Sequence, residues 1–490
     1  MPDEGDREGE SDRAGWEWSA EEVRRIGYRV VDLIAEHVTG LPQRPVFRPV
    51  PADLAARLLA TPPPEEGTSP DAVLDAFEQD IEPYPFGNGH PRFFGWVNSP
   101  PAIMGIFADA LAAAMNPSCA GGNHAAIYLE RMVVGWFKAM VGFPPESMGL
   151  LVSGGSMAAL TALAVARTRG CGFDVRARGL SAAGVPIVFY RGREAHGCHQ
   201  KAIELLGHGV DSLVEIEQDA ELRMSPAALE RAVRDDLRRG RRPIAVIASA
   251  GTVNTGAIDP LDTIADVCAE HGLWLHVDGA YGAPAVLARH YASELAALAR
   301  ADSLALDPHK WLGVPVEAGL VLVRDAGAMR DTFSLVPPYL RADQRVGGLP
   351  WLSEYGFQQT RGFRALKVWM SLRHHGLSGY RRAIERNIEQ ARRLAAAIRA
   401  APDFELYEPQ SLSIVCFRRS PPESAGDERA LDRSNRSLLE RLQLGGRAFL
   451  SSTELDGRFW LRACIVNPRS SEDDVLALLD IVREADRAAS

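Results

Sequence analysis

Residues 302–313 read DSLALDPHKWLG. The run DSLALD is short, apolar and bounded by acids. It is one of a set: PIVFY (186–190), PIAVIASA (243–250), LWLHVD (273–278) and GLVLVR (319–324) are similarly short and rich in Val, Ile and Leu. Helical stretches separate them. That alternation predicts an α/β fold built on a largely parallel, buried sheet. In such sheets ligands lie beyond the carboxyl ends of the strands. Here those ends carry chemistry: Asp278 ends one run, Lys310 follows another, and Gly251-Thr252 follows a third.

Lys310 is unusual for this chain. There are 54 Lys and Arg residues, and only four are lysines: Lys138, Lys201, Lys310 and Lys367. Where charge alone is needed, the sequence uses arginine. A lysine set among Leu, Trp and Val points to a need for an amine that can lose its proton, which a guanidinium cannot do. Burial lowers a lysine's pKa, and a neutral amine can attack a carbonyl to form a Schiff base. The structural alternative is a lysine that snorkels outward or pairs with Asp307.

With 490 residues the chain can hold more than one core. Its 46% hydrophobic and 24% charged content is ordinary for a globular protein. A net charge of −10 without a basic stripe argues against nucleic-acid binding. Apolar stretches such as AIMGIFADALAAAM are too short or too charged to span a membrane. The acidic start, MPDEGDREGESDRAG, does not read as a signal peptide. The six cysteines lack CxxC spacing, so free thiols and a cytoplasmic location are expected.

Four regions are expected. Residues 1–15 form a disordered tail. Residues 16–105 form a helical arm and dimerisation segment, beginning with Ser19 as a helix cap. Residues 106–375 hold the large α/β domain. Residues 376–490 form a small α+β domain with an Arg-rich helix, the runs LSIVCF and RFWLRACIV, and a polar loop over 418–435.

Three further groups stand out. LLVSGGSMAAL (150–160) passes from an apolar run through Ser-Gly-Gly-Ser into a helix. Backbone N–H groups and the Ser156 hydroxyl at that helix start suit a phosphate, although an ordinary capped helix reads the same way. It is neither a Walker loop nor GxGxxG. Asp278 at the end of LWLHVD costs free energy unless paired. It is either a capping carboxylate or a fixed charge for a cationic ligand. The stretch EAHGCHQKA (194–202) raises the question of zinc. One helix start gives poor tetrahedral geometry, so no metal is expected and a single His in an aromatic or acid–base role is preferred. A phosphate cradle, an acid and a lysine, in that order, form the set that pyridoxal 5′-phosphate requires.

At this point the chain resembles a known family, the group II pyridoxal phosphate-dependent amino acid decarboxylases of the aromatic-L-amino-acid decarboxylase type. The resemblance rests on HPRFFG (90–95), SGGSMAAL (153–160), AHGCHQKA (195–202), ASAGTVNTGAID (248–259), HVDGAYG (276–282), DPHKWLG (307–313), RGFRALKVW (361–369) and LRACIVNPRSSEDDV (461–475). DPHKWL with HVDGAYG is the most specific pair.

The resemblance implies the aspartate aminotransferase-like fold type I, in a homodimer with active sites at the subunit interface. It implies that Lys310 bonds the cofactor's aldehyde, that Asp278 meets the pyridine nitrogen and that His196 stacks on the ring. Gly155, Ser156 and His309 correspond to phosphate contacts, and Thr252 to a cofactor-side contact. Tyr339, in VPPYLRADQ (336–344), falls where the family has a loop tyrosine that delivers a proton. Trp96, Asn98, Phe86 and Thr360 fall at the expected substrate pocket. Phe93 and Phe94 belong either to that pocket or to the core. The chain departs from many members at Met157 and Ala159 in the cradle, at RGFR, and in a shorter segment after HPRFFG, which touches the pocket.

The implied activity is decarboxylation of an L-amino acid, an aromatic one favoured, to amine and CO2. Two alternatives stand beside it. One is an oxygen-dependent aldehyde synthase of the same family. The other is a catalytically silent binding homologue.

Overall fold

The computed structural model describes residues 16–335, 349–422 and 426–487. The expected N-terminal tail, and Tyr339 with most of its loop, lie outside the described residues.

The chain opens with helices α1 (Ala20–Gly40), α2 (Ala52–Ala60) and α3 (Pro70–Asp80). Ser19 begins α1 with a capping box: its side chain accepts from the Glu22 N–H, and Glu22 reaches back. No residue of α1 is buried within this chain. Helices α4 (Ile103–Met115) and α5 (Ala125–Val141) then lead into the main layer.

That layer alternates as β1 (Met148–Val152), α6 (Gly155–Gly170), β2 (Ile187–Gly192), α7 (Cys198–Leu205), β3 (Leu213–Ile216), α8 (Pro226–Arg238), β4 (Arg242–Ser249), α9 (Leu261–His271), β5 (Trp274–Asp278), β6 (Ser303–Leu306) and β7 (Gly319–Val323). The seven strands pair in the order β1-β7-β6-β5-β4-β2-β3. Strands β6, β5, β4, β2 and β3 are mutually parallel. Strand β7 is antiparallel to both β6 and β1. The sequence pattern, which predicts a largely parallel sheet, does not show this reversal. A parallel neighbour needs a crossover, usually helical. The link from β6 to β7 carries no helix, so the chain turns back and pairs antiparallel. Lys310 lies in that return.

Burial explains the apolar runs. Every residue of β1, β6 and β7 is buried. Helix α6 packs across the sheet through Ala158, Ala159, Ala162 and Ala166, all nearly inaccessible. Their small size lets the helix axis come close, and each fully buried Leu or Val in the facing strands contributes about 1.5–3 kcal/mol. Because β7 is the single reversed strand, the carboxyl ends of the other six strands share one edge of the sheet.

The chain continues through α10 (Ala326–Phe333) into α11 (Arg364–Ala400), interrupted at Gly376, where φ is 64°. A second sheet follows, made of β8 (Phe404–Leu406), β9 (Ile414–Arg419), β10 (Ser451–Leu455) and β11 (Arg458–Cys464) in the antiparallel order β10-β11-β9-β8. Helices α12 (Glu428–Leu444) and α13 (Glu472–Arg487) cover it. The stretch expected as a polar loop over 418–435 needs correction. Its second half is the start of α12, capped by Asp427, with Leu431, Asn435, Leu438 and Leu442 buried at helical spacing. The charged residues that made it look like a loop are the outer face of that helix. No helix among the described residues is long and apolar enough to cross a membrane.

Candidate active site

The carboxyl edge of the main sheet gathers the candidate groups because each follows a strand. After β1, Gly154 takes φ 151°, and no side chain caps the first turn of α6. Its N–H groups therefore stay available at the positive end of the helix dipole. The cradle is tight. A Cβ on Gly155 would lie 2.8 Å from Asp307 Oδ2, and one on Gly319 would lie 2.4 Å from Gly154 Cα. A Cβ on Gly154 would meet His309 Cε1 at 3.5 Å, so His309 borders the same hollow. Ser156 is exposed there.

The β6–β7 return holds the amine. Lys310 Nζ lies 3.1 Å from Asp307 Oδ2. Asp307 is buried, and its Oδ1 has no hydrogen-bond partner. The Ser99 hydroxyl bonds the Lys310 carbonyl, and Trp311 packs beneath, stacked on Tyr281 at 5.1 Å. The expectation of a lysine with lowered pKa is corrected here. Desolvation pulls the amine down, but Asp307 and Asp278 together outweigh it and hold Lys310 above the ordinary lysine value. The pairing with Asp307 that the sequence offered as the structural alternative is present. It coexists with access, since 26% of the lysine side chain remains open.

Asp278 ends β5. Its Oδ1 accepts from the Ala280 N–H at 3.0 Å, and its Oδ2 lies 3.4 Å from His199 Nε2. Desolvation pushes its pKa up, yet His199, Lys310 and the Ala280 N–H bring it below the usual carboxylate value. His196 lies before α7 with its ring exposed and its Nδ1 accepting from the Cys198 N–H at 3.1 Å. That bond leaves Nε2 as the protonated nitrogen of a neutral ring. Desolvation keeps His196 below the ordinary imidazole value.

Thr252 follows β4 but spends its hydroxyl inside its own turn, 3.1 Å from Thr255 Oγ1 and accepting from the Ala257 N–H. The pocket candidates divide. Phe93 and Phe94 are 1% exposed and belong to the core. Phe86 and Trp96 stack at 5.2 Å and are both about half exposed. Asn98 is half-buried and Thr360 exposed.

Asp307, Cys198 and His199 join this neighbourhood without having been singled out for a site role. Donor atoms of Cys198, His199 and Asp278 lie within 4.8 Å of one another. Burial pushes the Cys198 thiol up to about 12, so it keeps its proton at neutral pH. The sequence did hold signals for two of them. Asp307 is an acid three residues before a lone lysine, and His196 and His199 are three apart across a helix start, a spacing that shares one face.

An uncapped helix start, a buried acid and a paired but reachable lysine meet on one edge of an α/β sheet, which fits the fold type I enzyme that the sequence resemblance implies. The comparisons make the class specific. Residues 51–420 match the pyridoxal-dependent decarboxylase conserved domain. An aromatic-L-amino-acid decarboxylase of Bacillus atrophaeus is 37% identical over 464 residues, covering 94% of this chain and 95% of that protein. An L-2,4-diaminobutyrate decarboxylase of Rhizobium meliloti (strain 1021) is 33% identical, covering 87% and 84%. Among solved structures, that of Oryza sativa TDC with PLP and tryptamine matches with a TM-score of 0.88 at 27% identity, covering 96% of this chain and 99% of that one. The chain belongs to the pyridoxal-dependent decarboxylase family, the carboxy-lyases that use pyridoxal 5′-phosphate to decarboxylate amino acids. The residues present fit that cofactor. The Gly154–Ser156 hollow has no room for a Cβ at Gly155, and the Asp307 carboxylate, with Oδ1 unpartnered, lies beside the Lys310 amine.

Proposed function

We propose that this chain converts an aromatic L-amino acid to its amine and CO2, acting as a homodimer. The observation that carries the reading is Lys310. Its amine lies 3.1 Å from a buried carboxylate and is still open to the strand edge where Asp278 and the α6 start meet. Pyridoxal 5′-phosphate, when bound, supplies the electron sink that makes loss of CO2 from Cα possible.

The chain's own groups then have these tasks. Lys310 would hold the cofactor at its aldehyde, as a primary amine can. Asp307 keeps that amine oriented. Gly155, Ser156 and His309 hold the phosphate end, with Thr252 shaping the neighbouring turn. Asp278 would hold the cofactor's ring nitrogen, and His196 would shield the ring from water. Tyr339 returns a proton to the substrate's Cα.

Support for an aromatic substrate comes from the half-exposed Phe86–Trp96 stack, with Asn98 and Thr360 as further wall residues. Support for the homodimer comes from the arm. Helices α1 and α3 leave an apolar groove of about 530 Å³ lined by Val30, Leu33, Ile34, Leu74, Phe77 and Ile81. The six buried, unpaired cysteines favour a reducing, cytoplasmic setting.

The test is to incubate the cofactor-loaded protein with a panel of L-amino acids and identify products by mass spectrometry, with a peroxide assay alongside. Amine without peroxide from an aromatic substrate is expected. Peroxide in step with aldehyde would replace this reading with the aldehyde synthase. Turnover of diaminobutyrate or histidine alone would overturn the aromatic assignment. Tyr339→Phe is expected to divert product from amine toward aldehyde, and amine at the wild-type rate would remove Tyr339 from its role.

A further inference from the structure

Asp278 is approached from behind by a histidine that none of the tasks above uses. His199 is fully buried near the start of α7. Its two ring nitrogens face two acceptors. Nδ1 is 2.9 Å from the His196 carbonyl, and Nε2 is 3.4 Å from Asp278 Oδ2. A neutral imidazole offers one N–H and so satisfies one of these; an imidazolium satisfies both. Nε2 has no completed hydrogen bond, although it is buried and aimed at the carboxylate. A buried nitrogen left in that state costs free energy unless the structure uses it.

The surroundings fix the ring rather than let it turn away. His276, on β5 beside Asp278, lies edge-on to His199 at 5.8 Å. His276 is itself anchored through Nδ1 to Ser303 Oγ at 2.9 Å, and Ser303 also accepts from the Trp274 indole at 2.8 Å. The other ionisable groups acting on His199 are His196 and Arg191. Lys310 and Cys198 interact electrostatically with Asp278, and Asp307 interacts with both. Asp278 thus has one oxygen tied to the Ala280 N–H and the other backed by His199, and 14% of its side chain stays open.

We propose that His199 is a positioning residue that holds the Asp278 carboxylate charged and fixed in rotation for the cofactor's ring nitrogen. This rests on the reading of Asp278 given above. His199 is itself inaccessible and would act through Asp278. Burial holds His199 below the ordinary imidazole value, so what it offers Asp278 is the single N–H of a neutral ring, and a hydrogen bond to a charged group is worth more than one between neutral groups.

The test titrates cofactor-free protein with pyridoxal 5′-phosphate and follows quenching of tryptophan fluorescence. A second probe is the analogue in which carbon replaces the ring nitrogen. His199→Leu is expected to weaken binding of the natural cofactor by about 10- to 100-fold. His199→Gln, which keeps an amide donor, is expected to recover most of that. With the carbon analogue the wild type and His199→Leu should bind alike, because Asp278 then has nothing to hold. A merely structural role would weaken both probes equally and would overturn the proposal. Wild-type affinity in His199→Leu would overturn it while leaving the decarboxylase reading intact. If Asp278→Ala also bound both probes like the wild type, the assignment of Asp278 itself would fall, and this proposal with it.

Discussion

Two buried ion pairs in this molecule answer the same problem in opposite ways. Arg361 and Glu130 are 2% and 1% exposed. The guanidinium reaches both Glu130 oxygens and also bonds the Cys119 and Leu151 carbonyls at 2.9 and 2.7 Å, while Glu130 accepts from the Leu151 N–H. Lys310 and Asp307 are also paired within the fold, but the lysine stays partly open, Asp307 Oδ1 has no partner, and His199 Nε2 is unsatisfied nearby. The first pair fills its valences and clamps β1 to the segment before α11. The second keeps unfilled valences beside a cleft. Saturated buried charge is architecture, whereas unsaturated buried charge is held ready for something that binds.

Several changes would break or sharpen this contrast. The largest effect is expected from Lys310→Ala. Turnover should fall on the order of a thousandfold or more, and the visible absorbance of the loaded enzyme should disappear. Retained turnover without added amine would show that the open pair is only architecture. Arg361→Met should leave Glu130 buried without its partner and destabilise the fold by about 3–5 kcal/mol, measured by urea unfolding. Adding Glu130→Leu should return much of that, because a buried pair replaced on both sides is often nearly neutral. If the single and double variants unfold alike, the clamp acts through the carbonyl bonds rather than the charges.

A smaller effect concerns pH. Burial holds His276 down at about 3, while a histidine in the unfolded chain titrates near 6.5. Between those values the unfolded chain takes up the extra proton. Stability from this group is therefore full above about pH 6.5 and is lost as pH falls toward 3. At pH 5 the loss is about 2 kcal/mol. His276→Gln should flatten that part of the profile, and an unchanged slope would assign it to other groups such as His90 and His208, which burial also holds at about 4. The smallest effect is expected from Arg393→Ala. Arg393 pairs with Glu472 at 2.6 Å, but the side chains are about half exposed, so thermal unfolding should not change measurably.

Much of the fold was legible in particular stretches. PIVFY, PIAVIASA, LWLHVD, DSLALD and GLVLVR all became strands, because continuous apolar runs flanked by helices have one stable home, a sheet covered on both faces. LVEI at 213–216 and the start of α12 were not legible, since one is half-buried at the sheet edge and the other shows mostly its charged face. Among the candidate site residues, Lys310, Asp278, His196 and the Gly154–Ser156 turn were visible as groups that follow strands. Thr252 was visible as a position, yet only the structure revealed that its hydroxyl is used within its turn.

The sequence by itself determined the layered α/β class, the order of cradle, histidine, acid and lysine, and the family. Those rest on periodicity and on short local patterns, which act within a few residues. Tertiary structure alone decided the reversal of β7, the raised pKa of Lys310 and the contact of His199 with Asp278. Each depends on groups far apart in the chain, and electrostatics among buried charges is set by distance and desolvation, which no local pattern encodes.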